Sequence, residues 1–300
     1  MKMNRPNIGF IGFGEAAFHI CEGLQKEGNV AVWSYDVQVD HPVAGKLIKE
    51  RAKATNVTLV NSLKELIDNS GIILCATSAK YAVSIAEEAS AYMDESKYYI
   101  ELNSTSPAVK EEISLIIEKV KGKFVDGAIL GAVPTEKHKV PIVVSGNGAS
   151  DIASEMNQYN MNITYLNDMP GSASAIKMCR SIFMKGFTAL MIEMLLASQS
   201  YGIDEKVLKS IENTISHKPL EEVVNLLVTR AAIHAERRVS EMGEVLKTLT
   251  ELNSPSKMSK QTMEVYQFIV DKNLKETFNH VAPDDYHEVL KALDTSHVKS

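Results

Sequence analysis

An α/β domain on a mostly parallel sheet, followed by an all-helical domain that a long helix joins to it, is the fold class this sequence predicts. Three observations carry the expectation. Short β-rich runs alternate with helical patterns from residue 7 to about residue 166, as crossover connections in a parallel sheet require. After Gly171 no strand-like run follows, and apolar residues recur at helical spacing almost to the C-terminus. At the change of texture, residues 172–201 read as one helix, roughly 45 Å long at about 1.5 Å per residue, closed by Gly202. Domains are therefore expected over residues 1–168 and 169–300.

In chain order, strands are expected at residues 7–13, 30–34, 57–60, 71–76, 97–102, 123–129, 141–145 and 163–166. Helix starts between them carry local signals. Ser62-Leu63-Lys64-Glu65 has the form of a capping box, and Ser106 stands as an N-cap before Pro107. In the helical part, proline or a polar cluster marks breaks near residues 217–219, 253–255 and 282–284.

Composition narrows the function classes. With 32 basic and 38 acidic residues the net charge is -6, and no basic stripe is present, so nucleic acid is not an expected partner. Cys21, Cys75 and Cys179 sit among apolar neighbours at irregular spacing and read as buried free thiols of a reducing compartment. The first residues lead into a strand without an apolar signal core. The longest apolar stretch, residues 186–198, is short and cut by Glu193, so no membrane span is expected and the cytoplasm is the expected location. The eight histidines lack metal-ligand spacing, and no metal is expected.

Chemistry enters at the first turn. Gly12-Phe13-Gly14-Glu15-Ala16-Ala17 places G-x-G-x-x-A directly after a strand and at the opening of a helix. Gly12 permits the tight turn, Gly14 lets backbone approach a pyrophosphate, and Ala17 lets the helix pack on the strand. The free N–H groups of the helix start favour phosphate, with Glu15 pointing outward. Asp36 follows Gly14 by 36 − 14 = 22 residues at the end of the second run, where a carboxylate accepts from a ribose hydroxyl and repels a 2′-phosphate. NAD is the expected cofactor, with NADP as the alternative. Ala76 and Thr77 close the fourth run and Asn103 the fifth, at the strand ends where such sheets hold ligands, and they complete the expected cofactor set with Gly12, Phe13, Gly14, Glu15, Ala16 and Asp36.

A second set of residues suits a substrate. In Asn103-Ser104-Thr105-Ser106-Pro107, Ser104 and Thr105 offer hydroxyls beside the cofactor position. In the run Asp126 to Pro134, small residues including Gly131 allow close backbone approach. Lys177, Ser181 and Lys185, four apart, share a helix face, and Lys177 lies among Ala175, Ile176, Met178 and Cys179. Burial there would lower its pKa towards the range useful in proton transfer; a lysine snorkelling at the helix edge is the alternative. Further on, His234, Arg237, Arg238 and Glu241 share a face, suited either to clamping a carboxylate or to an ordinary i,i+4 surface pair.

Taken in order, these pieces resemble the β-hydroxyacid dehydrogenase superfamily, which includes 3-hydroxyisobutyrate, tartronate-semialdehyde and 6-phosphogluconate dehydrogenases. The resemblance rests on Gly12-Phe13-Gly14, on Asn103 to Pro107, and on Gly171 to Lys177. The C-terminal part resembles a phosphogluconate-dehydrogenase-related branch through Lys185-Gly186-Phe187-Thr188-Ala189-Leu190 and His234 to Met242. It implies a Rossmann domain, a helical domain with a dimer interface, and hydride transfer between nicotinamide and the alcohol carbon of a small anionic 3-hydroxy acid or sugar acid. Lys177 would be the general acid/base, with Ser104, Thr105, Gly131, Ser181, Lys185, His234, Arg237 and Arg238 around the substrate, in a homodimer or higher homo-oligomer. Ser181 replaces the usual asparagine, Arg180 replaces the histidine of sugar-acid phosphate members, and Leu130-Gly131-Ala132 replaces a glycine pair, so 6-phosphogluconate is not the expected substrate. Two alternatives share the fold: a nicotinamide-binding protein without dehydrogenase activity, and an imine reductase, a group that usually lacks the lysine.

Overall fold

A computed structural model of the chain describes residues 7–28 and 30–294; the first six residues, read above for a signal core, lie outside that range. The first part runs β1 (Asn7–Ile11), α1 (Glu15–Glu27), β2 (Ala31–Tyr35), α2 (Ala44–Ala54), β3 (Thr58–Leu59), α3 (Leu63–Asn69), β4 (Ile72–Cys75) and α4 (Ala82–Ser90). It continues through β5 (Tyr98–Glu101), α5 (Pro107–Lys119), β6 (Lys123–Ile129), α6 (Val133–Glu136), β7 (Pro141–Ser145), α7 (Ala149–Met156) and β8 (Asn162–Asn167). The helices α8 (Ser172–Ser200), α9 (Asp204–Ile215), α10 (Leu220–Glu251), α11 (Lys257–Asp271), α12 (Leu274–Thr277) and α13 (Tyr286–Leu293) follow.

All eight expected runs form strands of one sheet in the order β3-β2-β1-β4-β5-β6-β7-β8. Every pairing is parallel except β6 with β7. Strand alternation sends successive side chains to opposite faces. Ile8, Phe10, Ile72, Leu74 and Ile100 join the core that holds Ala17, Ile20 and Leu24 of α1. Ile11, Ile73, Cys75, Tyr99 and Phe124 join the opposite core, with Leu66 of α3, Ala86 of α4 and Ile113 of α5. Both faces are thus covered by helices, as a parallel sheet requires. Gly9 shows how closely: a Cβ there would stand 2.5 Å from Ser70 Oγ and 3.1 Å from Leu66.

The contacts divide the chain within α8, into one unit ending at Ile182 and another starting at Phe183. The second unit has a thin core of its own: Ala231, Ala232, Ile233 and Ala235 of α10 meet Ile269, Leu274 and Val289. Its order depends on a buried acid. Glu193, 5% exposed, accepts from the N–H of Met258 at 2.9 Å and of Ser259 at 2.8 Å, so a carboxylate of α8 caps the start of α11. Burial raises its pKa, but the hydrogen bonds from Ser259, Met258 and Lys257 outweigh burial and hold it below the usual 4.5.

Several expectations change in detail. Ser62 Oγ accepts from Glu65 N at 3.1 Å as a capping box demands, but the Glu65 carboxylate returns to Asn61 N at 3.0 Å instead of Ser62. Ser106 occupies the N-cap of α5 without a side-chain hydrogen bond; its backbone carbonyl oxygen accepts from Val109 N at 3.1 Å. Cys21 and Cys75 are buried, but Cys179 is exposed, since its neighbours in sequence turn to other faces of α8. A further break falls at Asn273, whose φ of 57° ends α11 in the left-handed region. By length and composition, at a mean hydropathy of 1.4, α8 is long and apolar enough to cross a membrane, although Glu193 interrupts its apolar run. Hydrogen bonds tie its first turn to β6 and its Glu193 to α11.

Candidate functional site

Strand order makes the cleft. β1 and β4 are neighbours whose connections leave in opposite directions, and the loops at their carboxyl ends part there. Gly12, at φ +84°, folds onto β4: a Cβ would lie 2.7 Å from Thr77 Cγ2 and 2.8 Å from Ala76 O. Gly14 is the opposite case, since an added Cβ would meet nothing within 4 Å. Behind it α1 begins without a side-chain cap, leaving first-turn N–H groups directed at open space. Small Ala17 is fully buried against the sheet, and Glu15 is exposed. A cleft of about 490 Å³ opens here, lined by Gly12, Gly14, Asp36, Ala76, Thr77 and Tyr81 among others. A glycine with free space beside it, an uncapped helix start and a carboxylate at the far wall fit a dinucleotide's pyrophosphate and ribose.

Asp36 is fixed rather than loose. Its Oδ2 accepts from Phe13 N and its Oδ1 from Gln38 N, each at 2.8 Å, so the carboxylate clasps the glycine turn to the end of β2. On the other side, Asn103 Oδ1 accepts from Thr77 N at 2.8 Å, and its Nδ2 lies 3.4 Å from Thr77 Oγ1 and 3.5 Å from Cys75 Sγ. The loops after β1, β2, β4 and β5 are therefore joined by side chains, and the expected cofactor residues come together at one edge of the sheet.

Next to that edge lies a group that sequence reading did not assemble. Register aligns Ile11, Cys75, Glu101, Asp126 and Ser145 in one row across β1, β4, β5, β6 and β7. Glu101 and Asp126 are both fully buried, and Lys110 of α5, also fully buried, stands over them. Its Nζ donates to Glu101 O at 2.6 Å and lies 3.3 Å from Asp126 Oδ1 and 3.8 Å from Glu101 Oε1. Burial raises the Glu101 pKa, opposed by the Lys110 charge and by the Asn103 N–H that donates to it at 2.7 Å. Burial likewise pushes the Cys75 thiol up, so it stays protonated. Lys110 could have been found from the sequence: it shares a spacing of three, four and seven with Ile113, Ser114 and Ile117, the buried stripe of α5.

Asp126 also receives the start of α8. Ser174 donates to it twice, from N at 2.9 Å and from Oγ at 2.6 Å, while Ala173 N donates to Ser145 Oγ at 3.0 Å. Gly171, at φ +88°, brings the chain against Pro107, where a Cβ would lie 3.0 Å from its carbonyl oxygen. Two turns on, Arg180 Nη1 donates to Leu130 O at 2.8 Å, just past the end of β6. Lys177, half-buried, lies midway between these two ties. Ser181 is half-buried, Ser104 exposed, and Thr105 buried with its Oγ1 lacking a partner among the described residues. Gly131 serves its own turn, because a Cβ would lie within 3.0 Å of Glu136, Val140 and Pro141.

The remaining residues of the expected substrate set belong to the second unit. Lys185 and His234 are exposed. Arg237 pairs with Glu241 at 3.3 Å, the surface i,i+4 arrangement, and Arg238 donates to Tyr266 OH at 3.1 Å with its guanidinium over that ring.

Comparison with known proteins agrees with this geometry. Residues 7–158 match the NAD binding domain of 6-phosphogluconate dehydrogenase, and residues 198–269 match a domain of unknown function, DUF1932. A conserved protein of unknown function, described as structurally similar to 3-hydroxyacid dehydrogenases, is 31% identical over 91% of this chain and 98% of its own, with a TM-score of 0.60. A conserved hypothetical protein from Sinorhizobium meliloti 1021 is 29% identical over 97% of this chain and 96% of its own, with a TM-score of 0.62. An imine reductase from Myxococcus stipitatus, a variant in complex with NAD+, shares the fold at 17% identity, covering 97% of this chain and 99% of its own with a TM-score of 0.71. The chain belongs to the oxidoreductase family defined by the NAD-binding domain of 6-phosphogluconate dehydrogenase, with a DUF1932 domain behind it.

Proposed function

We propose that the protein is an NAD-dependent dehydrogenase of a small 3-hydroxy acid, in which Lys177 is the general acid/base. The observation that carries this reading is the continuity of the cleft edge: Thr77 and Asn103 lead through Glu101, Lys110 and Asp126 to the turn of α8 that bears Lys177. Gly12, Gly14 and the first turn of α1 hold the pyrophosphate, and Asp36 accepts from the adenosine ribose while its charge disfavours a 2′-phosphate. Bound NAD supplies the acceptor for the hydride that leaves the alcohol carbon. Lys177 takes the hydroxyl proton on Nζ as that C–H bond breaks, and in the reverse direction it returns the proton to the carbonyl oxygen. Ser104, Thr105 and Ser181 hold the acid by hydrogen bonds, with Arg180 as a nearby positive charge.

The active form in this reading is a homodimer in a reducing compartment. Support comes from the apolar side chains α8 leaves uncovered, among them Ile182 at 76% and Ile192 at 55% exposure, and from cysteines without disulfides. The test is a screen of 3-hydroxypropionate, 3-hydroxyisobutyrate and glycerate with NAD and NADP, followed by nicotinamide absorbance, with a cyclic imine plus NADPH as a control. Oxidation of one acid with NAD supports the proposal. Reduction of the imine alone would replace it with the reductase reading, for which the shared fold is the motive, and NADPH binding tighter than NADH would remove the role given to Asp36.

A further inference from the structure

The buried ion group beneath the cleft has a geometry that neither nucleotide binding nor hydride transfer calls for. An ammonium and two carboxylates without solvent are a poor way to stabilise a core, because desolvation offsets most of their attraction. What such a group does well is fix a unique arrangement. Here the elements it fixes are the end of β5, the middle of β6, α5 and the first turn of α8.

We propose that Lys110, Asp126 and Ser174 are positioning residues for Lys177, holding the helix turn that carries it in register with the strand ends of the nucleotide cleft. The inference rests on the proton-transfer reading of Lys177. Lys110 is the counter-charge beside Asp126 in the core, with its Nζ 3.3 Å from Asp126 Oδ1. Asp126 accepts both from the backbone and from the hydroxyl of Ser174, which sets the rotation and the height of the first turn of α8. Lys177 follows Ser174 by one helical turn, and the Arg180 bond to Leu130 closes the other side of the same short segment. The other arm of the group runs to the cleft: Glu101 receives Asn103 N, and Asn103 receives Thr77 N. The amine and the nucleotide are thus referred to one buried origin. A displacement of about 1 Å at a reacting group is enough to lower turnover about a hundredfold, so such fixation has a catalytic consequence.

The decisive variant is Ser174→Ala, which deletes one hydrogen bond and leaves every charge in place. Two readouts are used on the full-length protein. Turnover of 3-hydroxypropionate with NAD is expected to fall about 10- to 100-fold, with KM and the NADH dissociation constant changed by less than about twofold and Ser174→Thr recovering most of the loss. Trace acetylation by acetic anhydride, read by mass spectrometry, is expected to modify Lys177 at least about threefold faster in Ser174→Ala, with Lys46 and Lys49 on α2 unchanged, as local unpinning predicts. Lys110→Met alone strands two buried carboxylates and folds poorly, so it is paired with Asp126→Asn, which removes one charge of each sign. That double variant is expected to show the same faster labelling of Lys177. Unchanged Lys177 labelling in both Ser174→Ala and the double variant overturns the proposal, and this arm decides even if 3-hydroxypropionate is not turned over. A Lys177→Met protein that keeps full turnover overturns the proton-transfer reading instead, a separate result.

Discussion

The two halves of α8 are one continuous helix doing opposite things. Its first half lies in the sheet unit, where Ala173 and Ser174 are buried and each donates a backbone N–H to a side chain at the sheet edge. Its second half lies in the helical unit and gives where the first receives: Glu193 supplies its carboxylate to the start of α11. The halves also differ in what they leave open. Phe183 and Phe187 stack at 5.6 Å, yet Phe183 is 54% exposed, and Leu190 and Leu196 are each 43% exposed. The difference teaches that the helix is a complete element only over its first turns, since Ile182 at the end of the sheet unit is already 76% exposed. The proposed chemistry requires a fixed amine there, whereas the far end leaves its apolar side chains uncovered.

Four substitutions break or sharpen this contrast. The largest effect is expected from Lys177→Met in the first half: turnover falls about 10²- to 10⁴-fold while NADH titration gives an unchanged dissociation constant, because the residues proposed to hold the nucleotide lie in the loops after β1, β2, β4 and β5. Lost NADH affinity would mean that the lysine serves the cofactor. In the second half, Phe183→Asp should convert the proposed homodimer into a monomer by light scattering at about 10 µM, since a charge in an apolar contact is poorly tolerated, with NADH binding retained. A dimeric mass for the variant would move the contact off this stretch.

A smaller effect is expected from Glu193→Ala, about 1–2 kcal/mol of unfolding free energy in urea titrations near neutral pH, the usual scale for losing a helix cap. Because hydrogen bonds hold the Glu193 pKa below 4.5, its contribution is fully present above that value and disappears as pH falls through the lowered one. Wild type and Glu193→Ala should therefore converge in stability at acid pH; a gap that widens on acidification contradicts the cap. The smallest effect belongs to Arg237→Ala, which breaks an exposed pair and should shift stability by less than about 0.5 kcal/mol. A rise in KM of about tenfold without a stability change would give Arg237 the substrate role that its spacing alone leaves open.

What the sequence made legible follows from how local each feature is. All eight strand runs were readable because short β-rich runs and the breakers between them act over a few residues, and the glycine turn was readable because Gly12 and Gly14 each answer a backbone demand. The helical breaks at proline were equally local. By contrast, Asp126, Lys110 and Ser174 are separated along the chain by 16 and 48 residues, and only the tertiary packing of α5, β6 and the start of α8 brings them together. Glu193 looked like an interruption of an apolar stretch, when its function lies with α11, 65 residues away. The exposed face of Cys179 was hidden for a related reason. Apolar neighbours in sequence do not define a helix face, which is set by residues three and four apart.

The antiparallel joint between β6 and β7 carries one more consequence. Because β7 and β8 run against the other strands, β8 ends level with Ser145 and Asp126 while β6 continues past them to Ile129. The helix then climbs beside that overhang, tied first at Asp126 and again at Leu130. Strand length is thereby a ruler for the amine. Each residue added to or removed from the overhang of β6 would move the upper tie by about 3.3 Å. Insertions of one or two residues at Gly127–Ile129 should accordingly be far less tolerated than insertions in the loop before α9, and a longer β6 would carry the side chain at position 177 at a different height.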